Sequence, residues 1–262
     1  MKSTRLYKFI TIVITLCLLS SCGSSVSDEK ATASDKRTIS LETIANADRL
    51  FGERKDIAKL REAIAILERA RNENQKSYEV EWKLARNKYF LGRHTDDDKE
   101  SETAFEDGKA VAKSAMQMEP NKPDGHFWYG ANLGQQANRN PLTVGLKSID
   151  EIRSVMNRVI ELQPDYELAS AYDVLGQMEL RTRLMGGGKT EKAVEYLEKA
   201  VALEPNNGNV RIHLAEALLA LKRNAEAKRQ LEYLLQMKPH SNYILEYEKQ
   251  VIEAKELLRT KF

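Results

Sequence analysis

The chain of 262 residues has only two cysteines, Cys17 and Cys22, and both lie near its N-terminus. Everything after residue 22 therefore lacks a thiol for a disulfide, a cysteine metal cluster or nucleophilic catalysis. The chain also has only six prolines, and alternation of the β type never extends beyond a few residues. This composition, together with apolar spacings of three and four, predicts an all-α protein.

The N-terminus combines a short basic segment, residues 2–8, with an apolar run of 11 residues from Phe9 to Leu19. This run is too short for a membrane-spanning helix, which needs ~20 residues, but it suits the apolar part of a signal peptide. The next letters, Leu-Ser-Ser-Cys at positions 19–22, form the lipobox of bacterial lipoproteins. We expect cleavage before Cys22 and lipidation of its thiol. The alternatives are an ordinary signal peptide with a chance cysteine and a buried core cysteine.

The predicted cleavage divides the chain into a lipoprotein signal peptide (1–21), a flexible tether (22–39) and a helical repeat domain (40–262). The leader holds three basic and no acidic residues, so its removal changes the net charge from +2 to −1, with 38 basic and 39 acidic side chains left. The basic balance therefore gives no support for nucleic-acid binding. The tether, rich in Ser, Ala, Thr and charge, would hold the body roughly 20–25 Å from the membrane; the alternative is a fixed N-terminal arm. Gly23 after the lipidated cysteine leads us to expect the outer membrane, on its periplasmic side.

Four prolines mark a repeat within the body. Pro120, Pro164, Pro205 and Pro239 each follow an amphipathic run, at spacings of 44, 41 and 34 residues. The last spacing is the period of the tetratricopeptide repeat (TPR), a pair of helices. The other two spacings predict extra residues between the helices of a pair, at about 93–102, 139–146 and 182–189. Such inserts would emerge from one edge and mark a binding face, or they are neutral loop extensions.

Small and apolar residues support the same reading. A pair of Leu with Gly or Ala, where two helices approach closely, occurs at four places: Leu84-Ala85, Leu133-Gly134, Leu175-Gly176 and Leu214-Ala215. The sequence Ala63, Leu67, Ala70 indicates a degenerate unit upstream, and residues 241–260 resemble a capping helix. We therefore predict an all-α, TPR-type solenoid of about four to five helix pairs with a C-terminal capping helix.

The sequence offers little for catalysis. The four histidines lie in different repeats, and none has a second metal ligand at a suitable spacing. The segment from Gly186 to Thr190 lacks the first glycine of a phosphate-binding loop, and no strand is predicted before it. We therefore expect no enzyme activity, no cofactor and no metal.

The first helices of TPR units line the concave groove. Counting from each Leu of the close-contact pairs, we predict these partner-binding candidates: Trp82, Arg86, Tyr89, Trp128, Gln135, Asp173, Gln177 and Glu216. Both tryptophans of the chain fall in this set, and aromatic and arginine side chains are common binding anchors. The alternative is that Trp82 and Trp128 pack between repeats.

The segment His126-Phe127-Trp128-Tyr129-Gly130-Ala131-Asn132-Leu133-Gly134 is more specific. Together with Leu162-Gln163-Pro164-Asp165-Tyr166, Gly187-Gly188-Lys189-Thr190 and Ala215-Glu216-Ala217, it resembles the T component of TPR-associated TRAP transporters. The resemblance implies a periplasmic TPR lipoprotein that partners a solute receptor. The chain departs from the family where proline often precedes the paired glycines, since Met185 stands before Gly186.

The sequence thus favours an accessory lipoprotein of a TRAP-type uptake system. Its expected partners are a periplasmic solute-binding protein, the membrane through the lipid anchor, a small hydrophobic or organic-acid ligand in the groove, and a second copy of the chain. The alternative is a general envelope scaffold, such as an assembly factor for outer-membrane proteins or the cell wall.

Overall fold

A computed structural model describes residues 41–71, 76–185 and 187–262. The predicted signal peptide, the tether and Cys22 precede the first of these residues. Within the described ranges the secondary structure is helical, with no strand. The α-helices are α1 (41–52), α2 (Ile57–Ala70), α3 (Tyr78–His94), α4 (Asp98–Met118), α5 (Pro123–Arg139), α6 (Leu146–Leu162), α7 (Tyr166–Thr182), α8 (Thr190–Leu203), α9 (Gly208–Ala220), α10 (Asn224–Gln236) and α11 (Ile244–Lys261).

Successive helices pair as the repeat predicts: α3 contacts α4, α5 contacts α6, and so on to α9 with α10, followed by α11. Upstream, α1 and α2 contribute Ala47 and Leu60 to the same hydrophobic cluster. Five helix pairs and a capping helix confirm the predicted TPR-type solenoid. The first helices form an inner layer. Within it, α3 contacts α5, α5 contacts α7, α7 contacts α9 and α9 contacts α11.

Local signals explain where several helices begin. The carboxylate of Asp56 accepts a hydrogen bond from Ala58 N, and that of Asp97 accepts from both Lys99 N and Glu100 N. These side chains satisfy backbone donors that the first turn leaves free. Pro123 stands at the first turn of α5, where its missing N–H costs no helical hydrogen bond.

The extra residues of the long repeats lie partly in other places than the sequence predicted. Only residues 95–97 separate α3 from α4, and the surplus lengthens the helices instead: α4 has 21 residues, whereas α10 has 13. The second surplus forms a short π-helical turn, Pro141–Gly145, and the third a 3₁₀ turn, Arg183–Met185, before the glycines. Of the three predicted inserts, the last two therefore lie between the helices of a pair, as short helical turns.

The buried apolar residues form two clusters. The first spans α1 to α7 and contains Phe90, Phe127, Trp128 and Tyr129. The second spans α7 to α11 and consists largely of Ala, Leu and Val, with no fully buried aromatic ring among the described residues. α7 contributes to both clusters, so it joins the two halves of the stack.

Close helix contacts identify the small residues that matter. A Cβ atom added to Gly176 would lie 2.7 Å from Leu197 Cγ, so this Leu-Gly pair is the predicted close contact. Gly134 does not have this role, because a Cβ there would meet no atom within 4 Å. In α5 the close approach occurs at Gly130, where an added Cβ would lie 2.3 Å from Met156 Cε. The predicted register of the third unit is therefore wrong.

Candidate functional site

The inner side of α3 carries three of the predicted groove residues. Trp82, Arg86 and Tyr89 follow one another at spacings of four and three, which places them on one face of the helix. All three are partly buried, unlike the fully buried Leu84 on the opposite side. All three side chains are therefore partly accessible to solvent, and their role in partner binding stays a prediction.

Cation–π contacts order this face. The Arg86 guanidinium lies 3.8 Å from the centroid of the Phe51 ring and 5.2 Å from that of Trp82. Asp48 of α1 accepts hydrogen bonds from Arg86 Nη2 and from Lys83 Nζ, both at 2.8 Å. Lys83 Nζ also lies 3.8 Å from Glu79 Oε2, so two carboxylates, Asp48 and Glu79, face the two cations beside the aromatic rings.

Arg93 extends the same face by one turn. Its Nη1 donates to Tyr89 Oη at 3.3 Å, while the side chain stays exposed. The Tyr89 hydroxyl, followed by the charges of Glu246 and Asp173, raises the pKa of Arg93, so both carboxylates lie near enough to influence it. We call Phe51, Trp82, Arg86, Tyr89 and Arg93 the aromatic–basic wall. Sequence reasoning missed Phe51 and Arg93, although Arg93 stands four residues after Tyr89.

Trp128 does not belong to this wall. It is only 2% exposed, and its ring packs against Phe127, Tyr89 and Phe90 at centroid distances of 4.9, 5.5 and 6.1 Å. The prediction that it lines an open groove is therefore wrong. The reason is that residues 125–133 of α5 are all buried, as expected for a helix covered on every side. Gln135, two residues past this buried stretch, is partly exposed.

The predicted residues of α7 and α9 form a polar network. Asp173 is buried, and its two carboxylate oxygens contact His213 Nδ1 at 2.7 Å and Gln177 Nε2 at 2.9 Å. Burial of the imidazole opposes its protonation, but the Asp173 carboxylate and then Glu216 outweigh it, so the pKa of His213 is raised. Asp173 is thus committed to internal contacts, whereas Gln177 and Glu216 remain partly exposed. Sequence reasoning missed His213, because its contact with Asp173 joins residues 40 positions apart on two helices.

The start of α7 has an unusual backbone. Glu167, Leu168 and Ala169 have φ values of 48°, 57° and 59°, in the left-handed region that side chains with a Cβ disfavour. Glu167 accepts a hydrogen bond from Tyr243 Oη of the segment before α11. Burial raises the pKa of Glu167 to about 7, with Arg86 and Arg54 opposing the shift and Asp124 adding to it.

An ion pair joins the two ends of the helical stack. Arg54, between α1 and α2, donates from Nε and Nη2 to the two carboxylate oxygens of Glu246 in α11, both at 2.9 Å. Lys55 pairs with Glu248 at 2.9 Å beside it. The paired residues are 192 and 193 positions apart in sequence. The contact brings α11 next to the first helix pair, so the aromatic–basic wall faces the start of α11.

The described helices include none with the length and apolar character of a membrane span. The same residues contain no group of three or more His, Cys, Asp or Glu side chains placed to hold a metal ion.

Comparison with known families agrees with the division of the core. Residues 43–179, just over half of the chain, match the family model "Regulator of microtubule dynamics protein 1-3". The chain belongs to this family. Residues 184–245 match a tetratricopeptide repeat model. The aromatic–basic wall thus lies in the part that identifies the regulator of microtubule dynamics family, and neither model is that of a catalytic family.

One relative within the family is Regulator of microtubule dynamics protein 3 of Rattus norvegicus, which is 22% identical over 191 residues. The match covers 68% of this chain but 41% of the relative, so the chain spans less than half of that protein's length. Among solved structures, a thermophilic TPR protein of Thermus thermophilus shares the fold, with a TM-score of 0.60 and 22% identity. That match covers 84% of this chain and 99% of the other.

Proposed function

We propose that this chain is a protein-binding scaffold that holds a segment of its partner against the aromatic–basic wall. The observation that carries the proposal is the side-by-side arrangement of two partly buried rings, Trp82 and Tyr89, with the guanidinium groups of Arg86 and Arg93. Exposed aromatic and arginine side chains on a rigid helix are the groups that dominate protein interfaces. The repeat family supports the same class of function.

The charges of the wall select the partner segment. Arg93 has no carboxylate partner within ion-pair distance in the described part of the chain, whereas Arg86 and Lys83 pair with Asp48 and Glu79. A partner segment that carries a carboxylate next to an apolar or aromatic side chain would therefore satisfy Arg93 as well as the rings. Asp173, whose oxygens are occupied, serves to hold α7 and α9 in place.

Within this class, we propose a periplasmic, lipid-anchored accessory subunit of a TRAP-type uptake system, whose partner is a solute-binding protein. The support comes from the sequence: the lipobox ending at Cys22 and the motifs around Trp128 and Gly187. The name of the rat relative refers to microtubule dynamics, but that protein is more than twice as long as the matched part. We therefore propose for this chain only the binding function of a repeat domain, and we do not extend to it the role in microtubule dynamics that the name of the longer protein states.

The wall is tested by two substitutions in the full chain. Trp82→Ala and Arg93→Gln should each weaken binding of the captured partner by roughly tenfold, the loss of one interface anchor. Both residues are exposed enough for the fold to survive. Tyr233→Ala is the matched control, because Tyr233 is a half-exposed ring on the outer helix α10 that also carries a cation–π contact, with Arg211 at 3.5 Å. Equal binding by all three variants would refute the wall as the binding site.

The identity of the partner is a separate test. Cross-linking of the anchored chain in its own host, followed by mass spectrometry, should recover a solute-binding protein. Recovery of outer-membrane or cell-wall assembly proteins would instead support the alternative, a general envelope scaffold. Native mass spectrometry of the purified chain would reveal a small organic acid retained by the wall.

Lipidation is tested by labelled palmitate. The chain should incorporate the label, and Cys22→Ala should abolish incorporation and release the protein from the membrane fraction. Cys17→Ala is the control, since Cys17 would be removed with the leader. A labelled Cys22→Ala variant would contradict the proposed anchor.

A further inference from the structure

The start of α11 contacts the N-terminal half of the stack through two side chains. The Tyr243 ring packs against the aromatic cluster of α1 to α7, and its hydroxyl donates to Glu167. Three residues later, Glu246 accepts hydrogen bonds from Arg54 Nε and Nη2, both at 2.9 Å. Side chains three positions apart lie on the same side of a helix. The start of α11 therefore presents an aromatic ring and a carboxylate together to the N-terminal half.

Arg54 holds the Glu246 carboxylate within a frame of two aromatic rings. Arg54 is only 4% exposed, and its guanidinium carbon lies 4.6 Å from the centroid of Phe51 and 5.1 Å from that of Phe90. The two rings meet edge to face, with their centroids 5.2 Å apart. A guanidinium fixed in this way presents two parallel N–H groups, which match the two oxygens of one carboxylate. We call Arg54, Phe51 and Phe90 the Arg54 site.

The Arg54 site is continuous with the aromatic–basic wall, because Phe51 belongs to both. The Arg86 guanidinium lies 3.8 Å from the centroid of the Phe51 ring. The pKa of Arg93 is raised first by the Tyr89 hydroxyl and then by the charge of Glu246, so this carboxylate also acts on the wall. A segment that binds along the wall would therefore reach the position that Glu246 occupies.

The other carboxylates around Arg54 are engaged in contacts of their own. These contacts are Glu53 with Arg49, Asp56 with the first turn of α2, and Asp48 with Lys83 and Arg86. Glu167 of α7 is near enough for an electrostatic interaction with Arg54, but it accepts the Tyr243 hydroxyl. Lys55, next to Arg54, pairs with Glu248 of α11 at 2.9 Å. If the start of α11 moved away, two cations would therefore lose their α11 carboxylates.

The hold of α11 on the stack permits such a movement. The body of the helix packs on α9 and α10, and its buried residues, Gln250 and Ala254, lie beyond its first turn. The pair of Lys55 with Glu248 is exposed on both sides, so it stabilises the contact little. A carboxylate from a partner could replace that of Glu246 and keep Arg54 paired. The exchange therefore avoids the large cost of a buried charge without a partner.

We propose that the Arg54 site binds a carboxylate of the partner segment, and that Glu246 occupies this site in the free chain as an internal substitute. The proposal rests on the proposed function and specifies the partner as an acidic protein segment with an aromatic ring three residues before a carboxylate, as in Tyr243 and Glu246. Binding displaces the start of α11, so the free chain is autoinhibited. Because Glu246 competes from within the same chain, only a segment that also contacts the wall would displace it.

A fluorescently labelled synthetic peptide of residues 239–252 tests the Arg54 site without the natural partner, since it carries the same ring and carboxylate. The full chain with Glu246→Gln should bind the peptide roughly tenfold more tightly than the unsubstituted chain, because an amide competes less well than a carboxylate for Arg54. Addition of Arg54→Gln should remove this gain, whereas Lys55→Gln, the matched control, should change the affinity by no more than about twofold. Equal binding by the Glu246→Gln and unsubstituted chains would overturn the proposal.

Hydrogen exchange gives a second measurement that needs no substitution in the chain. A saturating concentration of the peptide should speed amide exchange at the start of α11 in the unsubstituted chain, because the peptide takes the place of Glu246. Bound peptide with unchanged exchange at α11 would refute the displacement.

The outcome is separate from that of the proposed function. If the peptide tests fail while Trp82→Ala still weakens partner binding, the wall stands and the Arg54 site is refuted. If the peptide tests succeed while Trp82→Ala leaves partner binding unchanged, the Arg54 site stands and the wall is refuted.

Discussion

The two halves of the helical stack fill their cores with different side chains. From α1 to α6 the helices reach 21 residues and aromatic rings fill the space between them, with Trp128 at the centre. From α8 to α10 they have 13 or 14 residues and pack through Ala, Leu and Val. Small residues allow the close, regular approach of a TPR, whereas rings keep helices further apart. The half with the aromatic core also carries the aromatic–basic wall. The candidate binding site therefore lies in the half whose packing departs from that of a regular TPR.

The largest effect should come from the aromatic core. Trp128→Ala should lower the free energy of unfolding by ~3–5 kcal/mol, because it removes a fully buried ring and leaves a cavity. Denaturant unfolding of the full chain measures this change. Trp82→Ala is the control and should cost no more than about 1 kcal/mol, because the Trp82 ring is partly exposed. If both variants lost the same stability, the distinction between core and wall would be wrong.

The next effect concerns the contact between the ends. Arg54→Ala should cost about 2 kcal/mol, because Arg54 is only 4% exposed and its loss leaves Glu246, 19% exposed, without its bidentate partner. Lys55→Ala removes the neighbouring exposed pair with Glu248 and should cost less than about 1 kcal/mol. Hydrogen exchange should show faster opening of α11 in Arg54→Ala. Unchanged exchange would mean that the C-terminal half holds α11 without the N-terminal half.

Two glycines, one in α5 and one in α7, compare the packing of the two halves. Gly176→Ala should destabilise the chain by about 1–2 kcal/mol, because the new methyl meets Leu197, which is fully buried and has no room to move. Gly134→Ala should instead stabilise it by about 0.5–1 kcal/mol, since it fills open space and favours the helix. Thermal unfolding measures both. Destabilisation by Gly134→Ala would restore the close-contact role that the sequence pattern predicted.

Local patterns predicted the helix pairs well. The prolines and small residues recur from unit to unit, and each unit folds through contacts with its neighbours, so about four to five pairs and a cap could be inferred from the sequence. The burial of Trp128 could not, because it depends on how α5 is covered by its neighbours on every side. The pairing of Arg54 with Glu246 joins residues 192 positions apart, and no repeat pattern encodes it. The wall was partly predicted because Trp82, Arg86 and Tyr89 share one helix.

The smallest effect is a pH dependence at the junction of the halves. The pKa of Glu167, raised to about 7, and the raised pKa of His213 both mean that the folded chain binds protons more tightly than the unfolded chain. Their stabilisation is complete at low pH. The contribution of Glu167 is lost between about pH 4.5 and 7, and that of His213 as the pH rises above about 6.5. Stability should therefore fall as the pH rises from 5 to 8, with Glu167 responsible for the lower part of this range and His213 for the upper part.

Glu167→Gln separates the two groups. It keeps an acceptor for the Tyr243 hydroxyl but cannot ionise, so the slope of stability against pH should flatten below about pH 7, while the His213 part persists above it. Glu195→Gln, an exposed carboxylate on α8, is the control and should leave the profile unchanged. If Glu167→Gln left the slope intact, Glu167 would not be held in a buried setting. The hydrogen bond from Tyr243 would then join α7 to the segment before α11 without depending on the protonation of Glu167.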